Sequence, residues 1–100
     1  MKAQRNNIQP FLNREGRILQ LPRRRGCRYA VLGYLAEKFE PGQSFTEGQV
    51  NAICNQWHTF GDYFVLRREL VDSGFLQREP DGSRYWRAAA VPGTSVETDP

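Results

Sequence analysis

The chain has 100 residues, of which 39% are hydrophobic, 12% aromatic and 25% charged, a composition that excludes intrinsic disorder and leads us to expect one domain. Its longest apolar run, Tyr29 to Ala36, is eight residues and its cysteines number two, which excludes a membrane helix of roughly 20 residues and a disulfide scaffold. Formal net charge is only +3, yet twelve of the fourteen cations are arginine, the side chain that grips phosphate and carboxylate in a planar fork.

The first 28 residues hold Lys2, Arg5, Arg14, Arg17, Arg23, Arg24, Arg25 and Arg28 against Glu15 alone, a net of +7. Residues 29–75 come to −3 and residues 76–100 to −1. A basic segment of this kind reads as an electrostatic footprint for nucleic acid, or as a solvated end balanced by the acidic middle. No charged-then-apolar leader with a small-residue cleavage site opens the chain, so the expected location is the cytoplasm.

Residues 1–9 lack periodicity and read as a flexible arm, and residues 89–100 (AAVPGTSVETDP) read as a disordered tail. Between them, residues 10–88 form the expected folded domain. Phe11 to Leu21 reads as a short hairpin around Arg14-Glu15-Gly16, with Gly16 taking the left-handed conformation. Pro22 stops it. From Arg24 to Phe39 the pattern is helical, with Val31, Leu32, Leu35, Ala36 and Phe39 on one stripe. Pro41-Gly42 ends that helix.

Thr46 with Gln49 makes a capping box, and Phe45 against Val50 a hydrophobic staple. A second helix therefore starts at Glu47 and runs to about Trp57, burying Val50, Ile53, Cys54 and Trp57. Asp62 is the expected N-cap of a third helix, Tyr63 to Ser73. Tyr63, Leu66 and Leu70 are read as facing inward, Phe64 and Val71 lie at the edge, and Gly74 closes the helix. Phe75 to Glu79 and Arg84 to Arg87 read as strands joined by Pro80-Asp81-Gly82-Ser83, which pairs Glu79 with Arg84, Arg78 with Tyr85 and Gln77 with Trp86. Ser44-Phe45-Thr46 sits where a third strand is often added.

The order points to an α+β winged helix-turn-helix: three helices, a C-terminal β-hairpin wing and an added N-terminal β-hairpin. The same residues resemble a known family. Phe11-Leu12, Gly16-Arg17, Leu21-Pro22, Val31-Leu32, Tyr34 to Phe39, Phe45-Thr46-Glu47, Val50-Asn51, Trp57-His58, Leu66 to Asp72, Gly74 and Tyr85-Trp86-Arg87 carry the likeness, over about residues 10–87. The family is a small bacterial domain of unknown function, found alone or at the C-terminal end of ArsR-type transcriptional regulators. That resemblance implies a winged-helix-like fold and an association with bacterial regulators, and no catalytic residue or cofactor. The sequence departs from the family at Gly26-Cys27, where basic residues usually continue, and in the longer Thr59 to Asp62 connection.

The candidate nucleic-acid contacts are Arg23, Arg24, Arg25 and Arg28 at the start of the first helix, Arg67 and Arg68 on the third, and Arg84 and Arg87 on the wing. Cations at a helix N-terminus oppose the macrodipole, which points to an external anion such as phosphate. Arg67 and Arg68 are placed where Arg reads guanine edges, although Arg68 also faces Asp72 at i,i+4. Arg84 is expected to be partly neutralised by Glu79, leaving Arg87 the better phosphate contact. Tyr85 and Trp86 point to opposite faces of the ribbon, one toward the core and one free to stack on a base or partner.

Cys54 and His58, with Cys27 as a third group, form a weak zinc pattern without a C-x-x-C pair, and Cys54 is already explained as core. No orienting carboxylate, oxyanion loop or phosphate-cradling glycine loop accompanies the Cys-His pair. No metal, cofactor or enzymatic activity is expected. The leading expectation is a DNA-binding module in bacterial transcription regulation; the alternative is a protein-interaction or homodimerisation module.

Overall fold

Apolar spacing and end signals place most of the elements. The structure, a computed structural model, describes residues 8–88; the expected tail, 89–100, and residues 1–7 of the expected arm lie outside them. Ile8 packs against the core, and Gln9–Phe11 form one turn of 3-10 helix with Pro10 inside it. Then follow α1 (Arg25–Ala36), β1 (Ser44–Phe45), α2 (Glu47–Gln56), α3 (Tyr63–Asp72), β2 (Leu76–Arg78) and β3 (Tyr85–Arg87). The strands form one antiparallel sheet in the order β1-β3-β2. The fold is α+β.

The stripe on α1 buries Val31, Leu32, Leu35 and Ala36. Beyond Ala36 the chain tightens into bonds from Lys38 N–H to the Leu35 carbonyl (2.9 Å) and from Phe39 N–H to the Ala36 carbonyl (3.1 Å), which ends the α-helix a turn early. Phe39 nevertheless stays fully buried, edge-on to Phe45 with ring centroids 5.4 Å apart. On α2 the capping box is complete: Gln49 N–H donates to Thr46 Oγ1 at 3.1 Å, and Thr46 N–H donates to Gln49 Oε1 at 2.8 Å. Asp62 caps α3 by accepting from Val65 N–H at 3.3 Å. Leu66 and Leu70 are the buried residues of α3. Tyr63, expected inside, is 37% exposed and Phe64 is 50% exposed, because the buried line on α3 begins only with Leu66.

The C-terminal hairpin has the expected register, Gln77 opposite Trp86 and Arg78 opposite Tyr85. Glu79 N–H donates to the Arg84 carbonyl at 2.9 Å, and Gly82 turns the chain at φ 77°. Ser44 and Phe45 add the third strand by pairing with Trp86 and Tyr85.

The expected N-terminal β-hairpin is short: Asn13 N–H donates to the Arg17 carbonyl at 2.8 Å and Leu19 N–H to the Phe11 carbonyl at 2.7 Å. Leu12 and Ile18 form one isolated antiparallel bridge, and Ile18 also bridges in parallel to His58. Its N–H donates to the Trp57 carbonyl at 2.7 Å, and its carbonyl accepts from Thr59 N–H at 3.0 Å. The second run therefore pairs on one side with the first and on the other with the connection after α2. Gly16 does take the left-handed conformation (φ 80°), and Tyr34 Oη donates to its carbonyl at 2.6 Å.

Candidate nucleic-acid interface

The four arginines at the start of α1 separate into two groups. Arg23, Arg24 and Arg25 are exposed and hold no ion pair with any of the described residues. Arg24 is the N-cap of α1, makes no side-chain cap bond, and no acidic residue lies in the first turn. Three guanidinium groups thus stand at the positive end of a helix dipole without an ion-pair partner among the described residues. Arg28 is different. Its Nη2 lies 2.9 Å from Glu69 Oε2 and its Nε 3.3 Å from Oε1, while Nη1 donates to the Pro22 carbonyl at 3.2 Å. The hydrogen bonds to Glu69 push the Arg28 pKa above its ordinary value, and burial opposes them more weakly. Arg28 therefore ties α1 to α3 and, unlike its three neighbours, has an ion-pair partner among the described residues.

On α3 the two arginines are engaged to different degrees. Arg67 Nη1 donates to Asn51 Oδ1 at 2.6 Å and lies 3.3 Å from Glu47 Oε2, with its side chain only 14% exposed. Its guanidinium also sits 5.2 Å from the centre of the Phe64 ring. Held by α2 in this way, Arg67 clamps one helix to another. Arg68 and Asp72 approach to 3.9 Å with both side chains mostly exposed, a contact worth little. Arg68 can turn outward.

The hairpin holds further cations. Arg84 is exposed and, among the described residues, meets Glu79 through a main-chain bond and forms no ion pair. Arg87 is half-buried, with Nη1 donating to the Phe39 carbonyl at 3.2 Å. That bond binds the sheet to the end of α1 and leaves Arg87 partly committed. Tyr85 is buried, whereas Trp86 lies on the other face and donates Nε1–H to Gln77 Oε1 at 2.8 Å.

Arg78 was not among the expected contacts. It is exposed, donates to the Pro80 carbonyl at 3.2 Å, and lies 5.9 Å from the centre of the Tyr85 ring. With Phe64, Arg67, Arg68, Asp72 and Tyr85 it lines an open groove of about 300 Å³ between α3 and the hairpin. Its signal in the sequence is the turn register, which sets Arg78 opposite Tyr85.

The two cationic groups sit at opposite ends of α1. Arg23 to Arg25 begin that helix, while Arg87 bonds to Phe39 just past its end. Twelve helical residues span about 18 Å.

Arg17 and His58 bind the N-terminal segment to the connection between α2 and α3. Arg17 donates to the carbonyls of Gln56 (3.0 Å), Asn55 (3.2 Å) and His58 (2.8 Å), satisfying acceptors at the α2 C-terminus. His58 is 2% exposed. Its Nε2 accepts from Asp62 N–H at 2.8 Å, and its Nδ1 lies 2.6 Å from the Cys54 carbonyl, which assigns the tautomer with the proton on Nδ1. Both ring nitrogens are thereby used by the main chain. Burial pushes the Cys54 thiol up to about 12, so it remains protonated and unreactive near neutrality. The Cys54–His58 pair is a structural element of this connection.

These elements define a small α+β domain with a three-arginine cluster at a helix start and a second cationic group on its sheet. The chain belongs to a family described as an uncharacterized protein conserved in bacteria (DUF2087), which it matches over residues 17–87. No curated protein and no solved structure matches the chain. Among the described residues, no helix is long and apolar enough to cross a membrane.

Proposed function

We propose that this domain is a nucleic-acid-binding module of the winged helix-turn-helix type, with DNA as its target and a role in bacterial transcription regulation. It docks through phosphate contacts in preference to base reading. The observation that carries this reading is the trio Arg23, Arg24 and Arg25, exposed and without ion pairs among the described residues. The order α1-β1-α2-α3-β2-β3, with β3 central in the sheet, supports a winged helix in which α3 lies toward the groove and the hairpin toward the backbone. The engagement of Arg67 by Glu47 and Asn51 favours sequence-tolerant binding. The reading is of a binding module, not an enzyme, expected in the cytoplasm.

Fluorescence anisotropy with labelled duplex and single-stranded oligonucleotides tests it. Affinity should fall steeply with salt, and the triple substitution Arg23→Gln, Arg24→Gln, Arg25→Gln should reduce the slope of log K against log salt by about 2–3. Absence of binding to either form at low salt overturns the reading.

A second reading, a homodimerisation or protein-interaction module, is favoured by the exposed aromatics Phe60, Tyr63 and Phe64 around the start of α3. It requires sedimentation as a dimer that Phe64→Lys converts to monomer. A monomer at all concentrations removes self-association from consideration.

A further inference from the structure

Strand alternation places side chains on two faces of the sheet. Phe45, Leu76 and Tyr85 turn toward the core, with Phe45 partly buried and the other two fully so. Ser44, Trp86 and Gln77 are cross-strand partners in one row, and so share the outer face. Trp86 occupies the middle of that row on the central strand, with a small polar residue on one side and an amide on the other. An indole on an outward face contributes little to the core. Its Nε1–H is held by Gln77 Oε1 at 2.8 Å, which anchors one edge of the ring, and the side chain stays partly open to solvent.

Trp86 also lines an open cleft of about 320 Å³ together with Ser44, Glu79, Arg84 and Arg87. Two arginines against one acid leave this cleft cationic. Arg84 lies two residues before Trp86 on the same strand direction, exposed and without an ion pair among the described residues. Arg87, the cross-strand partner of Leu76, borders the cleft from the inner face and keeps one guanidinium nitrogen on the Phe39 carbonyl. The size is at the low end for a ligand site and suits one base with its phosphate better than a larger molecule.

We infer that the outer face of the sheet binds an unpaired base of a nucleic-acid strand, with Trp86 as the stacking surface and Arg84 on the adjoining phosphate. This rests on the nucleic-acid reading above and narrows its target. In a duplex each base face is covered by the next base pair, so an aromatic ring gains nothing there by stacking unless the helix is opened. On a single strand every base presents a π-face, and aromatic stacking beside arginine binds it with little regard to sequence. The partly engaged arginines of α3 fit the same conclusion, since they leave little provision for reading base edges in a groove.

The test compares a labelled oligothymidylate of about 10 nucleotides, within the span of one small single-strand-binding domain, with a duplex of equal length. The full chain should bind the single strand more tightly than the duplex. Trp86→Ala should weaken single-strand binding by at least about fivefold and change duplex binding less than about twofold, while Trp86→Phe retains most of the single-strand affinity. Arg84→Gln, at an exposed position that leaves folding intact, should lower the single-strand salt slope by about 0.7. A single-strand affinity unmoved by both Trp86→Ala and Arg84→Gln overturns the inference while leaving the broader reading in place, as does preference for the duplex. If the full chain binds neither probe at low salt, both fall together.

Discussion

His58 shows how one buried side chain can close an inter-helix connection. Its ring gives a proton to the Cys54 carbonyl and takes one from Asp62 N–H, so the end of α2 and the cap of α3 share one imidazole. His58→Ala leaves both main-chain groups unpaired and opens a cavity, and should cost about 2–4 kcal/mol in chemical denaturation. Cys54 yields a pH dependence of definite sign. Its thiol is held protonated in the folded state up to about 12, above its ordinary 9.0. Below pH 9 both states keep the proton and this contribution is fully present. As pH rises through the interval up to about 12 only the unfolded thiol ionises, and stability is lost. Urea melts across that interval should show a smaller alkaline loss for Cys54→Ala than for the parent chain, because tyrosine and lysine titrations are common to both.

At the scale of elements, the signals that read correctly from the sequence are those completed within one turn. The Thr46–Gln49 box and the Asp81-Gly82 turn each contain all their own partners. Thr46→Ala should accordingly lower stability by about 1 kcal/mol, seen as a fall of several degrees in melting temperature. The clamp of Arg28 on Glu69, 41 residues apart, has no local trace, and neither does Arg17 reaching the carbonyls at the C-terminal end of α2. Arg14-Glu15-Gly16 is a sound turn, but Ile18 finds its main-chain partners at Trp57 and Thr59, which local pattern does not disclose. Four of the eight expected contact arginines, Arg23, Arg24, Arg25 and Arg84, are exposed and without an ion pair among the described residues, and Arg68 is nearly so. Arg28, Arg67 and Arg87 are drawn into packing by residues distant in the chain. The clamp also supplies a test: Glu69→Gln weakens the hold on Arg28 and removes a negative charge, and should raise nucleic-acid affinity at low salt and steepen the salt slope by up to about 0.9.

Over the whole molecule, the net charge of +3 conceals two cationic groups about 18 Å apart along α1. Sites so far apart without shared partners act independently. On a strand long enough to reach both, the affinity losses of the Arg23–Arg25 triple substitution and of Trp86→Ala should therefore add to within about 0.5 kcal/mol. Shortening the strand until it reaches only one group should abolish the effect of the other. The uncapped start of α1 has a consequence for motion as well as for binding. Thr46 and Asp62 hold the first turns of α2 and α3, whereas Arg24 offers α1 no side-chain bond and three like charges repel one another there. The first turn of α1 should open more readily than its neighbours, exchanging its amide hydrogens sooner in deuterated water. A bound polyanion would slow that exchange, so the same turn would serve as an internal clock reporting occupancy without any label.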